Sequence, residues 1–308
     1  MSGHDNSAAT AAFGRVLTAM VTPFDDAGHL DLDAARRVAT HLVDAGCDGL
    51  VVSGTTGESP TTTDEEKRQL VEAVVDAVGA RARVVTGVGT SDTRHSVHLA
   101  EQAAAAGADG VLLVTPYYSK PPAAGLSAHF RTVADAADLP VMLYDIPGRT
   151  GLRIGSDLLG TLAEHPRILA VKDATGDLTA GSWVMRETGL AYYSGDDALN
   201  LAWLAHGAVG IVSVVAHAAA QSYAAMVAAA EKGDLATARQ IHDRLLPAVR
   251  AMMTRSVGVV SSKAALQLAG VLDGRVVRAP LPEATDDEMA ELRRDLVAGG
   301  LLPARLPA

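Results

Sequence analysis

The chain has 308 residues, 48% hydrophobic and 20% charged, with a formal net charge of −10 at neutral pH. Its acidic residues are spread along the sequence, which argues against the basic stripes that bind nucleic acid or an anionic membrane. Its apolar runs are short and broken by glycine, too short to span a bilayer.

Residues 1–13 carry neither a basic head nor an apolar stretch, and read as a disordered tail rather than a signal peptide. From residue 16 onward, short β-branched runs alternate with amphipathic stretches. Strands are expected at 16–21, 49–53, 83–87, 110–115, 140–144, 168–172, 191–194 and 210–214. Helices are expected between them at 32–45, 64–78, 91–106, 125–136, 156–164, 179–187 and 198–206. Cys47, the only cysteine, precedes the second strand as a small buried filler. It has no partner for an intramolecular disulfide, as suits a reducing cytoplasm. Eight strands apolar on both faces, each followed by a helix, indicate a parallel sheet covered on all sides. Closing it gives an α/β fold of the (β/α)8 TIM-barrel type over residues 14–215. A doubly wound open sheet is the alternative, weakened because no glycine-rich dinucleotide fingerprint follows the first strand. After the eighth strand only helical stretches remain, at 216–231, 235–254, 257–269 and 285–298. They make residues 216–308 a C-terminal helical extension whose apolar faces need the barrel to pack against.

In a barrel the strand C-termini converge on one mouth, so their sequences carry the chemistry. The second strand ends in Gly54-Thr55-Thr56-Gly57-Glu58-Ser59, whose glycines and hydroxyls suit a small carboxylate or, as plainly, a capped turn. The fourth ends in Thr115-Pro116-Tyr117-Tyr118, a pattern that packing also explains. The fifth ends in Tyr144-Asp145-Ile146-Pro147-Gly148-Arg149-Thr150, which offers a phenol for proton transfer and a guanidinium fork for a carboxylate. Of five lysines in the chain only Lys172 ends a strand, in Val171-Lys172-Asp173-Ala174-Thr175-Gly176. Two readings compete there: an ion pair with a carboxylate such as Asp173, or a desolvated amine able to attack a carbonyl. The seventh strand ends in Ser194-Gly195-Asp196-Asp197, whose two carboxylates lack a nearby histidine to complete a metal site. His95 and His98 lie three apart on a helix, with no third ligand. Together the lysine, the tyrosine and the Gly-Thr-Thr-Gly loop describe an imine-forming site acting on a 2-oxo acid. A metal-dependent aldolase using Asp196 and Asp197, and a non-catalytic binding barrel, are the competing classes.

These three motifs resemble the dihydrodipicolinate synthase/N-acetylneuraminate lyase superfamily from about Val16 to the C-terminal helices. The resemblance implies a lyase in which Lys172 forms a Schiff base with pyruvate and Tyr144 donates and accepts protons. It implies that Thr55 links Tyr144 to Tyr118 of a neighbouring subunit. Thr56 and the backbone at Val212 would hold the pyruvate carboxylate, and Gly195 would lie close to the imine. Arg149 would take the carboxylate of L-aspartate 4-semialdehyde, giving 4-hydroxy-tetrahydrodipicolinate on the route to diaminopimelate and lysine. Other members cleave N-acetylneuraminate or 2-oxo-3-deoxy sugar acids with the same lysine, tyrosine and threonines, and Arg149 and Tyr118 favour the amino-acid aldehyde. The resemblance also implies a homotetramer of two tight dimers; a cytoplasmic protein with no cofactor and no metal is expected. Lysine-inhibited members bind the inhibitor at the tight-dimer interface. Here Asp64, Lys67 and His95 stand at the positions of their key residues, beside Ser59, Ser91 and Tyr117. Lys67 would add a like charge to that pocket, so weak or absent feedback is expected.

Overall fold

The computed structural model describes residues 6–304. Eight strands, β1 Val16–Ala19, β2 Gly49–Val52, β3 Arg83–Gly87, β4 Gly110–Val114, β5 Val141–Asp145, β6 Ile168–Asp173, β7 Ala191–Ser194 and β8 Gly210–Ser213, close in sequence order into one barrel. Every pairing is parallel, and Thr18 opposite Ser213 joins β1 to β8. That last pairing rules out the open sheet.

Thirteen α-helices accompany the strands among the described residues. They are α1 Ser7–Phe13, α2 Leu32–Asp44, α3 Asp64–Val78, α4 Thr93–Ala105, α5 Ala123–Ala137, α6 Pro147–Thr150, α7 Ser156–Leu162, α8 Leu178–Thr188, α9 Asn200–Ala205, α10 Ala216–Glu231, α11 Leu235–Val249, α12 Gly258–Leu268 and α13 Asp286–Ala298. Their starts follow local chemistry. Thr63 and Glu66 form a reciprocal capping box at α3, as do Thr285 and Glu288 at α13. Residues 235–254 do not form one uninterrupted α-helix. Pro247 cannot donate to the ladder, and the last turn widens to a π-helix over Arg250–Thr254.

The strand period of two sorts side chains into two apolar layers. On β5, Val141 and Leu143 face the helices while Met142 and Tyr144 face the barrel interior. On β6, Val171 faces outward and Ala170 inward, so Lys172 points inside with Ala170 and Asp173 points out. The outer layer is continuous with buried residues of α10 to α13, so the C-terminal helices pack on the barrel wall through one core.

The expectation of a disordered tail over 1–13 is corrected for residues 7–13, which form α1; residues 1–5 lie outside the described residues. Ala9 and Phe13 join the interior core, and the fully buried Phe13 ring meets Tyr193 edge-on at 6.3 Å. Tyr193 donates its hydroxyl to the Gly14 carbonyl at 2.8 Å. A Cβ on Gly110 would sit 2.7 Å from the Phe13 ring, so that glycine makes room for the plug. α1 thus seals the barrel end opposite the strand C-termini, where burial of one aromatic outweighs an otherwise polar, alanine-rich sequence.

Candidate active site

Tyr144 and Lys172 are register partners on β5 and β6. Lys172 is only 5% exposed, and its Nζ lies 4.1 Å from the centre of the Tyr144 ring. Burial pulls the amine down to about 7; Asp197 opposes that shift and the Arg149 field reinforces it. Burial also pushes the Tyr144 phenol well above its ordinary value, against the pull of Arg149. Asp173 does not pair with the lysine. Its carboxylate accepts instead from the Thr175 amide at 2.8 Å and the Gly176 amide at 3.3 Å, capping the turn after β6. Among the described residues Lys172 makes no salt bridge, which leaves the desolvated amine as the reading the geometry supports. Gly195 leaves the lysine its path: a Cβ there would lie 3.0 Å from Cγ and 3.1 Å from Cε of Lys172.

The loop after β2 is drawn into a tight turn. The Glu58 amide donates to the Thr55 carbonyl, the Ser59 amide to the Gly54 carbonyl, and the Thr22 hydroxyl to the Gly57 carbonyl at 2.6 Å. A side chain on Gly57 would press on Met20 and Ser53 backbone atoms at 3.1 Å. Thr56 is buried by this turn, whereas Thr55 faces a cavity of about 440 Å³. Tyr144 and Arg149 line the same cavity. Arg149 sits on the single turn α6 and, among the described residues, forms no salt bridge, so its guanidinium has capacity for an incoming carboxylate. Val212 lies buried on β8, in the interior layer that also holds Tyr144.

Ser59, Asp64, Lys67, Ser91, His95 and Tyr117 also line this cavity, so they share it with Thr55, Tyr144 and Arg149, whereas Lys172, Thr56, Gly195 and Val212 are not part of its lining. His95 Nε2 lies 3.0 Å from Asp64, and the buried Lys67 donates to the Thr62 carbonyl at 2.5 Å with Asp64 3.9 Å away. Burial lowers the Lys67 amine, with Asp64 and Glu66 opposing. Tyr118 stands apart. It is 94% exposed at a left-handed φ of +70°, outside the cavity lining.

Three carboxylates have roles that their sequence context did not reveal. Asp197 is fully used in joining the ends of β7 and β8: it accepts from the Ser213 hydroxyl, the Val214 and Val215 amides at 2.9 and 3.1 Å, and Asn200 at 3.1 Å. Asp196 caps the next turn through the Ala198 amide. No group of three metal-ligating side chains forms among the described residues. Asp145, outward-facing behind Tyr144, accepts from the Ile154 amide with one oxygen at 3.1 Å, while the other is buried without a partner. Burial, with Asp173 as a like charge, pushes it up to about 7.

Residues 12–298 match the Dihydrodipicolinate synthetase family. A Kineococcus radiotolerans protein named 4-hydroxy-tetrahydrodipicolinate synthase is 63% identical over 296 residues, spanning 96% of each chain. The crystal structure of the dihydrodipicolinate synthase from Cyanidioschyzon merolae with lysine bound superposes with a TM-score of 0.90 at 41% identity, covering 94% of this chain and 99% of that one. A monomeric dihydrodipicolinate synthase variant is similar too, with a TM-score of 0.90 and 32% identity over 95% of this chain and 98% of its own.

Proposed function

The chain belongs to the dihydrodipicolinate synthetase family, and on that premise we propose that it condenses pyruvate with L-aspartate 4-semialdehyde through an imine on Lys172, the reaction of a 4-hydroxy-tetrahydrodipicolinate synthase. The observation that carries this reading is the buried Lys172 amine facing Tyr144 on the same barrel rung. An amine held near 7 is substantially unprotonated at neutral pH, whereas an ordinary lysine is so in only about one molecule in 2,500.

The neutral amine adds to the ketone carbon of pyruvate, and loss of water leaves the imine. The imine draws electrons from the methyl carbon, which gives up a proton and becomes the nucleophilic carbon of an enamine. That carbon adds to the aldehyde, and Tyr144 protonates the new alkoxide. The amine of the semialdehyde then attacks the imine carbon, displacing Lys172 and closing the ring as 4-hydroxy-tetrahydrodipicolinate. Thr56 and the Val212 backbone hold the pyruvate carboxylate, Gly195 leaves room beside the imine, and Arg149 takes the carboxylate of the second substrate. The buried position of Thr56 in the turn after β2 and the unpaired guanidinium at the cavity support these roles.

Tyr118 completes the proton relay from a second copy, through Thr55 to Tyr144. Its exposure and left-handed backbone, on a loop whose Tyr117 lines the cavity, support a tight dimer. Two such dimers form the homotetramer. A sole cysteine that is buried, and the lack of any helix long and apolar enough to cross a membrane among the described residues, suit a cytoplasmic setting.

A coupled assay with pyruvate and aspartate semialdehyde, with N-acetylneuraminate cleavage as control, tests the reaction. Arg149→Ala is expected to raise the KM for the semialdehyde roughly 10–100-fold and that for pyruvate little. Equal effects on both KM values would remove Arg149 from this role.

A further inference from the structure

The C-terminal helices reach the threonine loop through a buried ion-pair cluster. Glu58 closes the Gly-Thr-Thr-Gly turn with its backbone at a left-handed φ of +55°, and its side chain is 2% exposed. Both carboxylate oxygens are occupied. One accepts from Nζ of Lys263 on α12 at 2.5 Å, the other from the Arg278 amide at 2.8 Å. Lys263, itself 1% exposed, also donates to the Val276 carbonyl at 2.6 Å and lies 4.2 Å above the Phe24 ring. The Arg278 guanidinium grips the same loop further along. It donates to the Thr61 carbonyl at 2.8 Å, to the Gly28 carbonyl at 2.8 and 3.0 Å, and to both oxygens of Glu66 on α3.

Stability alone does not account for this cluster. A buried ion pair is often no better for folding than apolar side chains of the same volume, because desolvating two charges consumes most of their attraction. What apolar side chains cannot do is fix a direction. The Glu58 carboxylate ties a strained turn at two points to the C-terminal extension, to α12 and to the segment before α13, three residues from Thr55 and two from Thr56. A strained backbone conformation of this kind persists only where surrounding contacts over-determine it.

We propose that Glu58 is a positioning residue for pyruvate, and that Lys263 and Arg278 of the C-terminal extension hold it so that Thr56 meets the pyruvate carboxylate and Thr55 meets Tyr144 in register. The proposal rests on the pyruvate-imine reading given above and deepens it by giving the extension a part in the pyruvate site. Glu58 touches no substrate; it acts through the two threonines.

The test replaces the pair by apolar side chains, Glu58→Leu with Lys263→Met, in the full chain. Pyruvate half-saturation is read from borohydride trapping, with the added mass located on Lys172 and melting followed in parallel. The double variant is expected to fold and still trap pyruvate, with half-saturation raised about 10-fold or more. A clamp that is merely structural would lower the melting temperature or the active fraction and leave half-saturation where it was, and that result overturns the proposal. Glu58→Gln keeps the volume and serves if the double variant does not fold. A raised pyruvate half-saturation is again expected, and an unchanged value is again fatal. Failure of the wild-type protein to trap pyruvate on Lys172 would instead sink the imine reading itself.

Discussion

Nζ of Lys172 faces the π surface of Tyr144 from 4.1 Å, one rung of the barrel holding both. Two opposed effects meet there. A desolvated cation over an aromatic face gains about 2 kcal/mol, which favours keeping the proton. Moving an amine from 10.5 to about 7 corresponds to roughly 4–5 kcal/mol against it. Burial therefore wins, and the amine is available for attack at neutral pH. With saturating pyruvate, the rate of borohydride-trapped imine is expected to rise through about pH 7 and level off above it. A rate still climbing in proportion to hydroxide above pH 9 would mean an ordinary lysine.

Gly195 is expected to be intolerant of even one methyl group. Its Cβ would meet Cγ of Lys172 at 3.0 Å and the Asp173 carbonyl at 3.0 Å. The carbonyl is fixed by the Gly195 amide, which donates to it at 2.7 Å, so the lysine side chain has to give way. Displacing a nucleophile by a fraction of an ångström to an ångström costs roughly 10–100-fold in rate. Gly195→Ala should therefore fold, as judged by its melting temperature, and form the trapped imine at least about tenfold more slowly. A wild-type rate of trapping would mean that the channel beside Lys172 is wider than these distances say.

The strands, their closure into a barrel and the position of Lys172 and Tyr144 at strand ends were legible because they follow from where short apolar runs begin and stop; which face the two side chains take was not. The helix over 7–13 was not legible. It depends on Phe13 filling the floor of a barrel assembled from residues up to 200 positions away. Nor were the partners of Glu58. Lys263 is one polar position in a helical run and Arg278 lies in a proline-punctuated segment, and only the folded chain brings them to the threonine loop. Asp173 shows the same limit. Beside Lys172 in sequence it looks like an ion-pair partner, yet strand alternation sends the two side chains to opposite faces, and Asp173 meets Asp145 across the rung instead.

Asp145 makes the folded state lose stability as pH rises. Its carboxyl is held up to about 7, against an ordinary 3.8, so the folded protein keeps a proton that the unfolded chain has released. The stability it contributes is complete below pH 3.8 and is lost as pH rises through about 7. Asparagine retains an acceptor for the Ile154 amide and carries no charge at any pH. Asp145→Asn is expected to melt a few degrees above wild type at pH 8, with the difference shrinking towards pH 4. Thermal melts of both proteins at the two pH values decide it; a variant less stable at pH 8 would show that the ionised carboxylate is held by more than the Ile154 amide.

Feedback by L-lysine should be weak. The side of the cavity lined by Ser59, Ser91 and Tyr117 already contains a buried lysine, Lys67, beside Asp64 and His95. A ligand ammonium about 6 Å from Lys67 meets a repulsion of roughly 3 kcal/mol at an effective dielectric of 20, about a hundredfold in affinity. The acids present do little to offset it. Asp64 is shared between His95 and Lys67, and Asp92 caps α4 through the Arg94 amide. In the coupled assay, about 1 mM L-lysine is expected to leave the rate within about twofold of its uninhibited value. Half-inhibition well below that concentration would require the Lys67 ammonium to leave the cavity or lose its proton when the ligand arrives.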